Sequence, residues 1–463
     1  MVKLYNTLSR TIEEFSPINA PHVGMYACGP TVYDYTHIGH LRKYINDDVL
    51  RRVLEYAEYD VKHVMNITDV GHLSSDADTG EDKLEKGAKK FGKTPREVAR
   101  FFEKDFWDNL KEVNVKTPTV ICRATEHIED QIALIEVLVE KGYTYKTSNA
   151  IYFDVSKFKD YEKLSGQRLS EKEVGVRYEV IVDSDKKNPQ DFALWFFTVG
   201  KFKDHALRWK SPWGEGFPGW HIECSAMSMK YLGLSFDIHT GGIDHIPIHH
   251  TNEIAQSEAA TGARFVNYWV HHAFLNIGSE KMSKSKGNMY HISDFSAKKF
   301  VPLAFRYLTF QTHYRTEMNF NWDALEGAQR ALDKLYNLAA ALPEANGRSV
   351  EKYEAKFFEA VELDLDMPKA VSIMWGMLRS DADGEKKATT LERMDQILGL
   401  SIFEEAQLIS NIPQEVLDLV KEREGYRKNK RFSKSDEIRA KIERLGYVIK
   451  DSKDETKILR KIQ

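Results

Sequence analysis

The sequence predicts an α/β protein: a Rossmann-like parallel sheet carrying an inserted subdomain, followed by an α-helical bundle and a small C-terminal module. Three observations predict it. A strand–helix–strand pattern fills the stretch from His22 to Thr68, apolar strand signals return at Phe236 after a polar, loop-rich interval, and the chain beyond 315 is rich in Ala, Leu, Glu and Lys. The length of 463 residues suits roughly three domains.

The elements follow in order. His22–Cys28 (HVGMYAC) is an apolar run ending at Gly29-Pro30, which reads as a buried strand and its exit turn. Leu41, Ile45, Val49 and Val53 recur every four residues, one face of an amphipathic helix. Val61–Thr68 returns to strand character, completing a βαβ unit and hence a parallel sheet. Gly71–Lys93 is a polar surface excursion whose acidic side chains either cap a helix or face a ligand. A helix over 127–142 and a strand over Ala150–Val155 open the insertion, and strands resume at Phe236–His239 and Val266–Asn276. Pro343 and Gly347 break the later helices, and Pro413 lies near the start of the last module. The expected boundaries are 1–115 and 216–314 for the two halves of the sheet domain, 116–215 for the insertion, 315–402 for the bundle and 403–463 for the final module.

Composition narrows the function classes. Charged residues make up 29% and no run is apolar enough to span a bilayer as a helix, which argues against a membrane protein, and a cytoplasmic one is expected. Met1–Arg10 lacks the apolar core of a signal peptide. Cys28, Cys122 and Cys224 are too few and too scattered for a disulfide framework. The whole chain carries −4, yet Lys421–Gln463 holds 15 Lys/Arg and 8 Asp/Glu. A basic tail on an acidic body suits a protein that holds a polyanion at one end, although a solvated helical face reads the same way.

His37-Ile38-Gly39-His40 falls between the first strand and the first helix, where an open α/β sheet binds ligands. A helix N-terminus there offers unpaired N–H groups to phosphate, Gly39 lets a flat ring approach the backbone, and two imidazoles supply donors. Lys281-Met-Ser-Lys284-Ser-Lys-Gly-Asn288 is a basic Ser/Gly-punctuated loop suited to a triphosphate. Each reads alone as an incidental helix start or a solvated loop. His249 and Glu253 stand at i and i+4 on a helix and project from one face, as a shared ion or a surface hydrogen bond requires.

Together, His37–His40 and Lys281–Lys284, about 240 residues apart, resemble the paired signatures of class I aminoacyl-tRNA synthetases. Cys28–Asp34 (CGPTVYD), Gly219–Met227 (GWHIECSAM) and His249–Gln256 (HHTNEIAQ) narrow the resemblance to the cysteinyl-tRNA synthetase family. That resemblance implies ATP-dependent activation of L-cysteine and its transfer to tRNA(Cys). It implies one zinc per chain, held by Cys28, Cys224, His249 and Glu253, that selects the substrate thiolate. It places Cys28, Gly29, Thr68, Trp220 and Asp244 at the cysteine site. ATP, entering as Mg-ATP, falls to His37, Gly39, His40, Asp244, Lys281 and Lys284, with both His and both Lys catalytic. The C-terminal module becomes an anticodon-binding one and the enzyme a monomer. Two rivals share parts of this reading: a cysteine:sugar-amine ligase of mycothiol biosynthesis, and a non-catalytic tRNA-binding paralogue. Ile248 and Thr251 depart from the family's usual pattern beside His249, as does Lys457-Ile458-Leu459 where a tryptophan is common.

Overall fold

A computed structural model of the chain describes residues 1–71, 73–75, 79–166, 185–278, 280–281, 289–410, 412–429, 431–451 and 456–460. Five strands, β1 (His22–Ala27), β2 (Asp60–Ile67), β3 (Val120–Arg123), β4 (Phe236–Gly242) and β5 (Val266–His272), form one parallel sheet in the order β5-β4-β1-β2-β3. Met25 of β1 pairs with Ile238 on one side and His63 on the other. Parallel strands need both faces covered, which explains their nearly continuous apolar runs. Met25 and Ala27 join the core under α1 (Ile38–Tyr56), while Tyr26 joins the core on the opposite face.

Helix α1 is the predicted amphipathic one, with Leu41, Ile45, Val49 and Val53 buried. It also buries charge. Asp48 receives Arg52 Nε and Arg306 Nη2, each at 2.6 Å, and Arg306 in turn donates to the carbonyls of Val113 and Leu398. Arg42 donates to the carbonyls of Ala273, Phe274, His313 and Thr316, so the chain leaving β5 is tied to the first turns of α1. A buried guanidinium is tolerated only when its donors find acceptors, and these acceptors fix where the two halves of the sheet domain meet.

After α2 (Lys83–Phe91), α3 (Pro95–Glu112) and β3, helix α4 (Ile128–Glu140) leads into a five-stranded antiparallel sheet built from residues 144–218. Its last strand, Gly214–Pro218, runs directly into α5 (Trp220–Leu232). Helix α6 (His249–Thr261) follows β4 and packs on α5. The sequence boundary at 116 cuts across the parallel sheet: Val120–Arg123 pairs in parallel with Val64–Ile67, and α4 packs on α5 and α6. A four-residue edge strand carries too little periodicity to be read beforehand. Beyond β5 lie the helices Trp322–Ala340, Glu351–Glu362, Met367–Arg379, Gly384–Leu398 and Ile402–Ser410. Two more, Gln414–Lys428 and Phe432–Arg444, pack with the hairpin Tyr447–Asp451/Thr456–Arg460 around a separate small core. Among the described residues no helix is long and apolar enough to cross a membrane.

Candidate active site

Chain connections leave β1 toward β2 on one side while β4 flanks it on the other, so the carboxyl ends of β1 and β4 bound a crevice at the point where strand order reverses. A cavity of about 350 Å³ opens there. Cys28 and Gly29 reach it from the end of β1, His37 and His40 from the start of α1, Trp220 and Cys224 from α5, and Asp244 and His249 from the β4–α6 connection and α6.

At one end of the cavity Cys28 Sγ, Cys224 Sγ, a His249 ring nitrogen and a Glu253 carboxylate oxygen all lie within 4.8 Å of one another, and all four residues are buried. Cys28 directly follows β1, Cys224 comes from the first turns of α5, and His249 and Glu253 come from successive turns of α6. Only the packing of α5 and α6 against the sheet brings the two thiols together, and both are free. A tetrahedral ion with ligands at about 2.0–2.3 Å separates its donors by roughly 3.3–3.8 Å, a spacing this cluster meets with small side-chain shifts. The donor set of two thiols, an imidazole and a carboxylate suits a borderline-soft cation. Glu253 Oε1 is buried without a hydrogen-bond partner, although His249 Nε2 stands 2.9 Å away. An acceptor in that condition fits an ion.

The electrostatics agree. Burial pushes the Cys28 thiol up, but its hydrogen bond with Cys224 and the charges of His239, His249 and His250 override burial and hold it well below the usual thiol range. Cys224 moves the other way, raised by its bond to Cys28 and then by burial. Burial opposes charge on His249, yet Glu253 and Cys28 raise it to about 10. Behind these four lies a belt of histidines. His239 Nε2 meets Glu253 Oε2 at 3.0 Å, His221 Nδ1 meets His249 Nδ1 at 2.9 Å, and His250 reaches Cys28 Sγ at 3.4 Å and His271 at 2.8 Å. Such outer partners fix ring orientation and tautomer. Trp220 stacks on the His249 ring with centroids 4.2 Å apart.

Glycine is demanded at Gly29, because a Cβ there would sit 1.6 Å from the Asn66 carbonyl oxygen. At the other end of the cavity, His37 caps α1. Its Nδ1 accepts the His40 N–H at 3.3 Å, which puts the proton of the neutral ring on Nε2, and the two imidazoles stack with centroids 3.6 Å apart. Gly39 lines the same wall.

Of the residues singled out from sequence, Cys28, Gly29, His37, Gly39, His40, Trp220, Cys224, Asp244 and His249 line the cavity. Thr68 does not. It is buried, with its hydroxyl donating to Glu223 Oε2 and accepting from Asn66 Nδ2, and Asn66 occupies the wall instead. The backbone of Lys281 lies in a short strand paired with Asn276, while its side chain and the whole of Lys284 fall outside the described residues. In the acidic excursion, Asp82 caps α2 by accepting the Glu85 N–H, and also meets His205. Sequence reasoning missed Lys43, the one Lys or Arg lining the cavity among the described residues. Its ammonium donates to the Cys28 carbonyl at 2.8 Å and pairs with Asp47 at 2.8 Å. The signal was available: Lys43 stands four residues after Gly39, on the same helical face.

Residues 14–330 match the model of the class I (C) tRNA synthetase catalytic domain, and residues 410–458 match the cysteinyl-tRNA ligase anticodon-binding domain. The cysteine–tRNA ligase of Treponema denticola is 42% identical, covering 98% of this chain and 99% of that protein. The chain belongs to the cysteinyl-tRNA ligase family. Cysteine–tRNA ligase 1 of Burkholderia lata is 44% identical over 97% of this chain and 95% of its own length. The cysteine–tRNA ligase of Thermus thermophilus is 41% identical over 97% and 98%. Among solved structures, Mycobacterium tuberculosis methionyl-tRNA synthetase with methionyl-adenylate shares the fold at a TM-score of 0.55 and 14% identity, covering 83% of this chain and 91% of that one. The LeuRS–tRNA–LeuAMS ternary complex of Agrobacterium radiobacter does so at 0.60 and 12%, covering 85% of each chain. The class I match spans β1 to β5, so the family's catalytic domain contains the cavity, and the small C-terminal core lies inside its anticodon-binding domain.

Proposed function

We propose that the protein is a cysteine–tRNA ligase, which activates L-cysteine with ATP and esterifies it to tRNA(Cys). The observation that carries this reading is the buried Cys28–Cys224–His249–Glu253 cluster opening onto the same cavity as the His37–His40 turn. A thiol selector and a phosphate-binding helix start share one pocket.

Cys28, Cys224, His249 and Glu253 would hold zinc, which supplies a soft Lewis acid that favours a thiolate over a hydroxyl. Trp220 packs on His249 and closes the side of the substrate pocket, and Asp244 offers its carboxylate to the substrate ammonium. The substrate carboxylate then lies toward α1, where it attacks the α-phosphorus of ATP in line. His37 Nε2–H and the His40 ring donate to phosphoryl oxygens as charge grows on them, and Lys43 adds a cation at the centre of the pocket. Lys281 and Lys284 neutralise the departing pyrophosphate. These groups act by position and charge, with no covalent intermediate on the protein. A terminal ribose hydroxyl of the tRNA then attacks the cysteinyl carbonyl of the adenylate, forming the ester and releasing AMP.

Discrimination follows from the donor set. Serine differs from cysteine by one atom, and an apolar pocket separates such isosteres only modestly. A soft metal contact separates them strongly, so the small antiparallel insertion needs no editing site. The anticodon-binding module favours tRNA over a sugar amine as acceptor, since a small acceptor calls for no second platform. We take the working state to be a cytoplasmic monomer.

Pyrophosphate exchange tests the adenylation half of this reading. Exchange should depend on cysteine, fail with serine, and fall when a chelator removes the metal. Equal exchange with both amino acids would overturn thiol selection.

A further inference from the structure

Helices α2 and α3 carry a surface that the adenylation chemistry does not use. Between Lys86 and Arg100 the chain holds six Lys or Arg (Lys86, Lys89, Lys90, Lys93, Arg96 and Arg100) and one acid, Glu97. All six cations are exposed on a chain whose net charge is −4. Two large rings stand beside them: Phe101 is 44% exposed and Tyr35 43% exposed, with their centroids 6.1 Å apart in an edge-to-face pair. Lys93 Nζ lies 4.6 Å from the Phe101 ring centroid.

This surface is rigidly joined to the active site. Tyr35 lines the cavity, two residues before His37. Its ring also packs on buried Phe102 and on His291. Asp105 of α3 accepts the Thr36 N–H at 3.0 Å, and Gly87 of α2 lies so close to the Tyr33 carbonyl that a Cβ would meet its oxygen at 3.2 Å. The helices are thus anchored to the loop that leads into α1.

Basic side chains interleaved with exposed aromatic faces are what single-stranded nucleic acid requires. The cations follow the phosphates, and the rings stack on bases regardless of sequence. We propose that Tyr35, Phe101 and the α2–α3 cations form the platform that takes the unpaired 3′ end of tRNA and leads its terminal ribose to the cavity. The proposal rests on the cysteine–tRNA ligase reading and adds the surface on which the acceptor end lies.

The test compares charging with adenylation. Phe101→Ala and the double substitution Lys90→Gln/Lys93→Gln touch neither the cavity wall nor the cysteine cluster. Each should raise the KM for tRNA about tenfold, while cysteine-dependent pyrophosphate exchange stays unchanged. Phe101→Trp should restore charging, because a larger ring stacks as well, whereas a role in packing would not be rescued by a bulkier side chain. The lysine pair should flatten the salt dependence of tRNA binding. Binding of tRNA trimmed of its unpaired 3′ nucleotides supplies a second readout: it should be weaker for the wild type and indifferent to Phe101→Ala. Equal tRNA affinity and charging in wild type and variants would overturn the platform, as would loss of exchange in parallel with charging. If the wild type exchanges pyrophosphate yet charges no tRNA, the ligase reading fails first, and trimmed against intact tRNA still decides whether the surface binds a 3′ end.

Discussion

His249 Nε2 and Glu253 Oε1 lie 2.9 Å apart on successive turns of α6, yet the carboxylate oxygen has no hydrogen-bond partner, and the other oxygen of the same group meets His239 at 3.0 Å. One oxygen of Glu253 is held from behind while the other is left facing the two thiols. His239 therefore sets the direction of a metal donor. His239→Ala should lower metal affinity about 10- to 100-fold, and His239→Gln, which keeps a donor, should recover part of it. Metal content after dialysis against graded chelator measures this, and unchanged retention in both variants would remove the orienting role.

Lys43 places an ammonium between the Cys28 carbonyl and Asp47, and Asp47 also meets His272 at 2.7 Å. An ammonium has three donors, and these contacts use two. Lys43→Met should slow cysteine-dependent exchange roughly a hundredfold, the cost of losing one donor aimed at developing charge. Metal content should stay at the wild-type level. A variant that loses metal along with activity would show that Lys43 only props the Cys28 backbone.

His63, in the middle of β2, is buried with both ring nitrogens lacking partners, and burial lowers its pKa to about 4. The unfolded chain binds this proton near pH 6.5, so the unfolded state holds more protons across the window between the two values. Stability from the neutral ring is complete above pH 6.5 and is lost as pH falls toward 4, by about 3 kcal/mol in all. His63→Leu should therefore gain on the wild type as pH drops through that window. Denaturant titrations at pH 7 and pH 5 measure it, and a constant difference between the two proteins would contradict the assignment.

Much of the fold was legible because its signals are local. The apolar run from His22, the fourfold spacing from Leu41 to Val53 and the return at Val61 all became β1, α1 and β2. The short edge strand β3 was absorbed into the insertion because four residues show no period. For the site, His249 and Glu253 were visible as a helical pair. Cys28 and Cys224 come from different elements, and no spacing rule joins them, so only family resemblance grouped the four. His239, His250 and His271 lie on β4, α6 and β5, and their meeting depends on sheet order, which the sequence does not state locally. Asn66 lines the wall where Thr68 was expected, and the Thr68 hydroxyl is engaged by the buried Glu223 carboxylate, a contact between distant elements that no local signal announces.

Gly29 ties the cluster to the sheet. With its α-carbon packed against the Asn66 carbonyl, Gly29→Ala must push β1 and β2 apart at the residue next to Cys28. The variant should lose both stability and metal retention, read by thermal unfolding with and without added zinc. A variant with wild-type Tm and metal content would contradict the close approach.

The central claim is tested most directly by charging tRNA with radiolabelled cysteine or serine, using the purified, zinc-replete protein. The account predicts cysteinyl-tRNA and no detectable seryl-tRNA, with charging lost when His249→Ala removes a member of the buried cluster. Comparable charging with serine, or full cysteine charging by the His249→Ala protein, would contradict it.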